Sequence, residues 1–478
     1  MRSSKVTRRS VLLTAAAISL RAAVASLSPT MKRLGSYMTE AGTGPLPPEA
    51  LEKTKQHILD TFAAMVSGSE LAPGRFAINF ARGHSAEKTA TVAASDVVCG
   101  AIEAAFSNAM LAHSDETDDS HAPSESHPGA SIVPTALAAG EQFNIDGPRF
   151  LRAVALGYDI GTRVTMTIGV GGFQTATHIS THALAGTFGS AAAAGCAAAL
   201  NEQQMRWLID YASQQASGIK TWQRDTDHIE KAFLFAGMPA RNGITAALLV
   251  EAGATGVDDV LSGPDNFLAD YASQADPAKL IEKLGERYEI TRTNIKKWTV
   301  GSPIQAPLDA LEAMLKRRPF DADQVQSVTV RVASSEAAIV SNRELPDICM
   351  QHMIAVMLID KTASFKAAHD KPRMQEPAVL KQRAKVQLIP DADLERHLPA
   401  REAIVDVTLI DGTHLTETVK AVRGTAENPM PREEVIAKSR DLMTPVLGPD
   451  RTARLIQATL GLETLKSVRA LRPLLQRT

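Results

Sequence analysis

The chain has 478 residues, 44% hydrophobic and only 4% aromatic, with a formal net charge of −2. That length allows two or three domains and a sizeable core, built mainly from Ala, Leu, Val, Ile and Met. The near-neutral balance gives no electrostatic case for nucleic acid, and three dispersed cysteines without a CxxC pair argue against an iron–sulfur cluster or structural zinc.

Residues 1–25 read as an export leader. A basic start, an apolar middle and a small-residue end at Ala23-Val24-Ala25 follow in the order of a secretory signal. Arg8-Arg9 before Ser-Val-Leu-Leu resembles the twin-arginine pattern, which implies a periplasmic protein. Arg21 interrupts the apolar run, which is too short to span a bilayer, and no later segment reads as transmembrane. The leader aside, the expectation is no stable membrane association.

Residues 30–270 predict an all-helical domain. "PPEALEKTKQHILDTFAAMVSG" places Leu51, Ile58, Leu59, Phe62 and Met65 near one face at helical spacing. "GTFGSAAAAGCAAAL" reads as a small-residue helix buried on most sides, and Asn201 with Gln204 as the capping box of the next helix. "MPARNGITAALLVEAG" is a further helix ending at a glycine. Over residues 275–425 the pattern changes to a smaller α+β domain. "QSVTVRVAS" and "RAKVQLIPD" are strand candidates, "DICMQHMIAVMLI" is a helix, and Asp411-Gly412 predicts a tight two-residue hairpin turn. Residues 430–478 return to helix. The fold class is therefore multidomain α and α+β, a large all-helical domain followed by a smaller α+β domain.

The most unusual stretch is "AHSDETDDSHAPSESHPGAS", residues 112–131, which crowds Asp115, Glu116, Asp118 and Asp119 with His113, His121 and His127. Three readings stay open on the residues alone. The carboxylates and histidines are acceptable ligands for a divalent cation, but their spacing matches no ligand frame. A polar loop between two apolar helices is the ordinary reading of such composition. The third is acid–base chemistry on a carboxylate substrate, with a histidine as base, carboxylates orienting it and lysines neutralising charge.

The same stretch resembles the signature of the MmgE/PrpD family, which includes 2-methylcitrate dehydratase, cis-aconitate decarboxylase and iminodisuccinate epimerase. Further likeness lies in "GTFGSAAAAGCAAAL", "ASQQASG", "EKAFLFAGMPARNGITAALLVEAGATG" and "MIAVMLIDKTASFKAAHD", in order from about Leu51 to Lys385. The resemblance implies a cofactor-free enzyme without metal, acting on a small di- or tricarboxylic acid by proton transfer next to a carboxylate. It also implies a homodimer, a fold in which the smaller α+β domain is a lid, and C-terminal helices at residues 430–478 that rejoin the helical domain. A lyase of the hydratase/dehydratase type is the leading expectation, an epimerase using the same carbanion the alternative, and a non-catalytic periplasmic polycarboxylate-binding protein the reading from a different class.

Carried over by position, the resemblance nominates His127, Lys231, Asp118, Asp119, Glu116 and His182 as catalytic residues. It nominates Lys296, Lys297 and Ser120 as substrate contacts, to which the reading of the residues themselves adds His121, from the acidic–histidine stretch, and Arg343, on the lid side of the cleft. Glu116 stands where the family pattern has Asp and Ser120 where it often has Thr. His178 competes with His182 for one histidine position, and Val340 falls where the decarboxylase branch uses Tyr.

Overall fold

The computed structural model describes residues 27–272 and 274–477, so the leader at residues 1–25 lies outside the described residues. The helix Pro48–Gly68 begins with proline in its first turn, where the missing N–H removes no helical bond. From Thr54 to Gly68 every residue is buried. Neighbours therefore wrap it on all sides, not on the one face that its apolar spacing suggests.

The helix Thr181–Ala197 is buried at every position except His182. Small residues permit this. A Cβ on Gly161, in the helix Gly147–Ile168, would lie 2.2 Å from the Ala185 carbonyl oxygen. One on Gly189 would lie 2.5 Å from Ile132 Cδ1, in the helix Pro128–Phe143. The capping box forms as expected: Gln204 N–H donates to Asn201 Oδ1 and Asn201 N–H to Gln204 Oε1, each at 3.0 Å. The first unit is not wholly helical, however. A two-residue ribbon pairs β1 (Ala90–Thr91) with β2 (Val98–Cys99).

The second unit holds a four-stranded sheet of β3 (Val325–Ala333), β4 (Val386–Asp391), β5 (Ala403–Leu409) and β6 (His414–Val419), in the order β4-β3-β5-β6. β3 and β4 are parallel, and the crossover between them carries the helices Met350–Asp360 and Phe365–His369. The hairpin falls where the alternation predicted it, but its reversal takes residues 410–413 rather than two, with Gly412 at φ 84°.

Two apolar cores result. The second runs from Trp298 to Val422. Leu280, Leu284, Ile290 and Ile295 belong to the first, so the changeover lies near residue 296 and not 275. Val435, Leu442, Leu455 and Leu471 also join the first core. The helix Arg432–Leu447 thus packs back against Pro48–Gly68, and Lys438 reaches Asp60 at 2.6 Å. Ile229–Glu251 is long and apolar enough to cross a membrane, yet it is mostly buried inside the protein.

Candidate active site

The helix Ala101–Ala112 ends at His113, and the chain from there to Asp119 is buried throughout, no residue more than 5% exposed. A solvated polar loop is therefore excluded. Four carboxylates taken out of water need partners, and each has them. Asp115 accepts from Thr117 N–H at 2.9 Å and meets His369 Nε2 at 2.9 Å. Glu116 pairs with the Lys231 ammonium, while Lys296 Nζ donates to the Glu116 carbonyl at 2.9 Å and lies 3.5 Å from its carboxylate. Asp118 Oδ2 sits 3.0 Å from His113 Nδ1 and 3.2 Å from His127 Nδ1, the latter off the line of a good hydrogen bond. Asp119 accepts from Tyr158 Oη at 2.5 Å and Gly129 N–H at 2.9 Å, and it lies 2.8 Å from His57 Nδ1.

These contacts divide the work of the two aspartates. Asp118 faces the imidazoles. Asp119 instead ties the first turn of Pro128–Phe143, and so the backbone next to His127, to the helices bearing His57 and Tyr158. Orienting His127 directly is thus a task for Asp118 alone. Glycine is required at the tie, because a Cβ at Gly129 would lie 2.5 Å from Tyr158 Oη and 2.7 Å from Asp119 Oδ2.

A local irregularity supplies the opposite wall. Between Ile229–Ala232 and Met238–Glu251 the chain makes one π-helical turn, Phe233–Gly237. Such turns re-aim side chains and recur at functional sites. Here Phe235 stacks on His182 at 3.8 Å between ring centroids and on His113 at 4.7 Å, with His127 at 5.7 Å. Lys231 Nζ lies 5.2 Å from the centre of the Phe235 ring and 5.4 Å from that of Trp222, within cation–π range. Among the described residues, His113 Nε2, His182 Nδ1 and His228 Nε2 are buried and meet no hydrogen-bonding partner.

Electrostatics sort these groups by charge. Burial pushes the Glu116 carboxyl up, but Lys231 and Lys296 outweigh it and hold it well below the usual carboxylate range. The Asp118 carboxyl is likewise raised by burial and lowered further by His113 and His127, so it stays ionised. Burial lowers His127, with Asp118 opposing. Burial and the neighbouring imidazoles hold His182 well below its ordinary value, and burial with Lys231 beside it brings His228 to about 3. The site therefore holds three imidazoles whose charging burial opposes, those of His127, His182 and His228, beside two lysines that share one carboxylate.

Residues 32–280 match the MmgE/PrpD N-terminal domain and residues 298–464 the MmgE/PrpD C-terminal domain. The chain belongs to the MmgE/PrpD family. It is similar to the cis-aconitate decarboxylase of Aspergillus terreus, 23% identical over 474 residues, covering 92% of this chain and 94% of that protein. It is also similar to a cis-aconitate decarboxylase-like protein of Aspergillus oryzae, 23% identical over 472 residues, covering 91% and 95%.

Within this MmgE/PrpD chain, His127, Lys231, Asp118, Glu116, His182 and Lys296 form one cluster. His178 is exposed, at the end of Val170–Thr177, so His182 and not His178 enters it. Five nominated residues stand elsewhere, the first being Asp119, on the tie to His57 and Tyr158. Lys297 points to the second unit and pairs with Glu312 at 2.5 Å. His121 is fully buried between Ser124 at 2.8 Å and Glu289 at 3.3 Å. Ser120 contributes its backbone, bridging Asn294 through bonds of 3.0 and 2.8 Å and so holding the strand of chain that leads to Lys296. Arg343 is exposed and makes no hydrogen bond or ion pair among the described residues.

Sequence reasoning missed His57, His113 as a partner of Asp118, His228 and Phe235. His113 alone had a local signal, at the head of the signature. Among the described residues, the group that could hold a metal is His113, Asp118 and His127, whose ligand atoms lie within 4.8 Å of one another. Both imidazoles, however, already face the carboxylate at hydrogen-bonding distance. Protein stripped with EDTA and shown metal-free by elemental analysis is expected to keep its turnover. Loss of turnover restored by one divalent ion would assign the trio to a metal instead.

Proposed function

We propose that the protein is a cofactor-free lyase of a small di- or tricarboxylic acid, of the hydratase/dehydratase type, starting from proton removal next to a carboxylate. Family membership and the two fungal relatives support lyase-type action on a carboxylic acid. The observation that carries the reading is the pair of imidazoles turned toward one buried carboxylate. His113 Nδ1 makes a hydrogen bond with Asp118 and His127 Nδ1 lies beside the same carboxylate at 3.2 Å, so each ring turns its Nδ1 side to Asp118 and its Nε2 away from it. His127 Nε2 then takes the proton, and Asp118 stabilises the imidazolium that forms. The His127 imidazolium so formed returns its proton to the departing hydroxyl, which leaves as water, while the rings of His182 and His113, each 5.2 Å away, wall the site. Lys231 and Lys296 hold substrate carboxylates and meet the charge that develops. In a water-poor site fixed ammonium groups act far more strongly than in solution.

Decarboxylation is the second reading, favoured by the printed activity of the Aspergillus terreus relative. Against it, Val340, at the position where the resemblance places a tyrosine, is 1% exposed in the second core and offers no hydroxyl. The test is NMR of a panel of di- and tricarboxylic acids, cis-aconitate included, incubated with the protein in deuterated water. Deuterium entering at an α-carbon, with gain or loss of water, is the expected result. Inverted configuration would indicate epimerisation, and release of carbon dioxide decarboxylation. Tight binding of an acid without exchange would replace the enzyme by a binding protein.

A further inference from the structure

His369 ends the short helix Phe365–His369 of the second unit and reaches the signature segment of the first. Its Nδ1 lies 2.7 Å from the Phe365 carbonyl oxygen, which can only accept, so Nδ1 carries a proton. Its Nε2 lies 2.9 Å from Asp115 Oδ2, off the ideal hydrogen-bond line. A bare lone pair there would face a carboxylate oxygen at contact distance, so Nε2 carries a proton as well. The ring is thus placed as an imidazolium inside the protein. Asp115 is the residue before Glu116, which in turn engages both lysines of the site.

We propose that His369 is a positioning residue, a charged latch that holds the second unit onto Asp115 and thereby fixes Glu116 against Lys231 and Lys296. The groups facing it are Asp115 from the signature segment and Asp347 from the turn Pro346–Ile348 against which its helix packs; Glu116 and Lys231 lie beyond Asp347. Burial works against the charge, but the two aspartates outweigh it and raise His369 to about 9. Asp347 is itself pushed up by burial to about 6, so above that pH it adds a second negative charge to the latch. A His held above its ordinary value contributes fully below about 6.5, provided Asp115 is ionised, and burial notwithstanding Asp115 is held low by His369 and Thr117. The latch is then lost as pH rises through about 9.

Two measurements need no substrate and so stand apart from the polycarboxylate reading, on which only the kinetic consequence rests. In protein labelled at histidine Cε1, the resonance that disappears in His369→Gln is expected to keep its imidazolium shift through pH 8. In Asp115→Asn it should titrate nearer the ordinary value. A resonance that titrates below pH 7 in the parent protein overturns the proposal. Amide hydrogen exchange of residues 112–121 is expected to rise about tenfold in His369→Ala, the scale of a local opening, without a change in the global unfolding midpoint. Unchanged exchange there, in a folded variant, equally overturns it. On an acid that the parent turns over, His369→Gln should lower kcat more than it raises KM and remove the fall in activity near pH 9 from the pH profile. A purely structural contact would leave that fall in place.

Discussion

Replacing His127 by alanine lowers kcat by roughly 10²–10⁴-fold, the usual effect of losing a general acid or base. The loss is chemical because the backbone that carries His127 is held independently of its ring. Its side chain is 11% exposed, and it precedes the helix Pro128–Phe143, whose first turn is held through Gly129 and Asp119. The variant is therefore expected to keep the far-ultraviolet spectrum and unfolding midpoint of the parent. The parent's pH profile adds a second check. Burial lowers His127, so the neutral base persists below the ordinary imidazole value of about 6.5. Activity should fall on the acid side only beneath that pH. Near-full turnover by His127→Ala, or an inactive variant that has also unfolded, would remove His127 from the chemistry.

The largest stability effect is expected far from the imidazoles. Lys438 Nζ lies 2.6 Å from Asp60 Oδ1 and donates to the Thr117 carbonyl at 3.0 Å, in a place where Asp60 is fully buried. Burial raises the Asp60 carboxyl, and Lys438 is the principal group opposing that rise. Lys438→Ala leaves the carboxylate without its counter-charge, and breaking a buried pair from one side costs about 3–5 kcal/mol. Removing both charges with Asp60→Leu/Lys438→Met should restore most of that loss, since well-packed apolar replacements of a buried pair are often neutral. Urea unfolding of the full chain measures this directly. A single variant as stable as the parent would show that the pair does not hold the helix Arg432–Leu447 to Pro48–Gly68.

The contrast between these two sites marks how far local chemistry carries in this chain. The capping box at Asn201, the alternation of β3 and the hairpin of β5 and β6 were legible because backbone partners a few residues away decide them. The small-residue helix Thr181–Ala197 was legible as buried because alanine and glycine dominate it. The signature segment was legible as a site through its resemblance and its density of ionisable groups.

Its wiring was not legible. Nothing in adjacent residues distinguishes Asp118 from Asp119. Their roles diverge because His113 and His127 approach one, while His57 and Tyr158, on two other helices, approach the other. Lys296 and Lys297 are likewise equivalent in sequence. Backbone direction after the Ser120–Asn294 bridge sends the first to Glu116 and the second to Glu312. The parallel pairing of β3 with β4, across the intervening chain that carries the helix Phe365–His369, is what sets His369 beside Asp115. Sequence by itself determined the helices, the strands, the family and the segment where the ionisable groups gather. Only the tertiary structure decided which charge meets which, because those pairings form between residues up to several hundred positions apart, where local propensity carries no information.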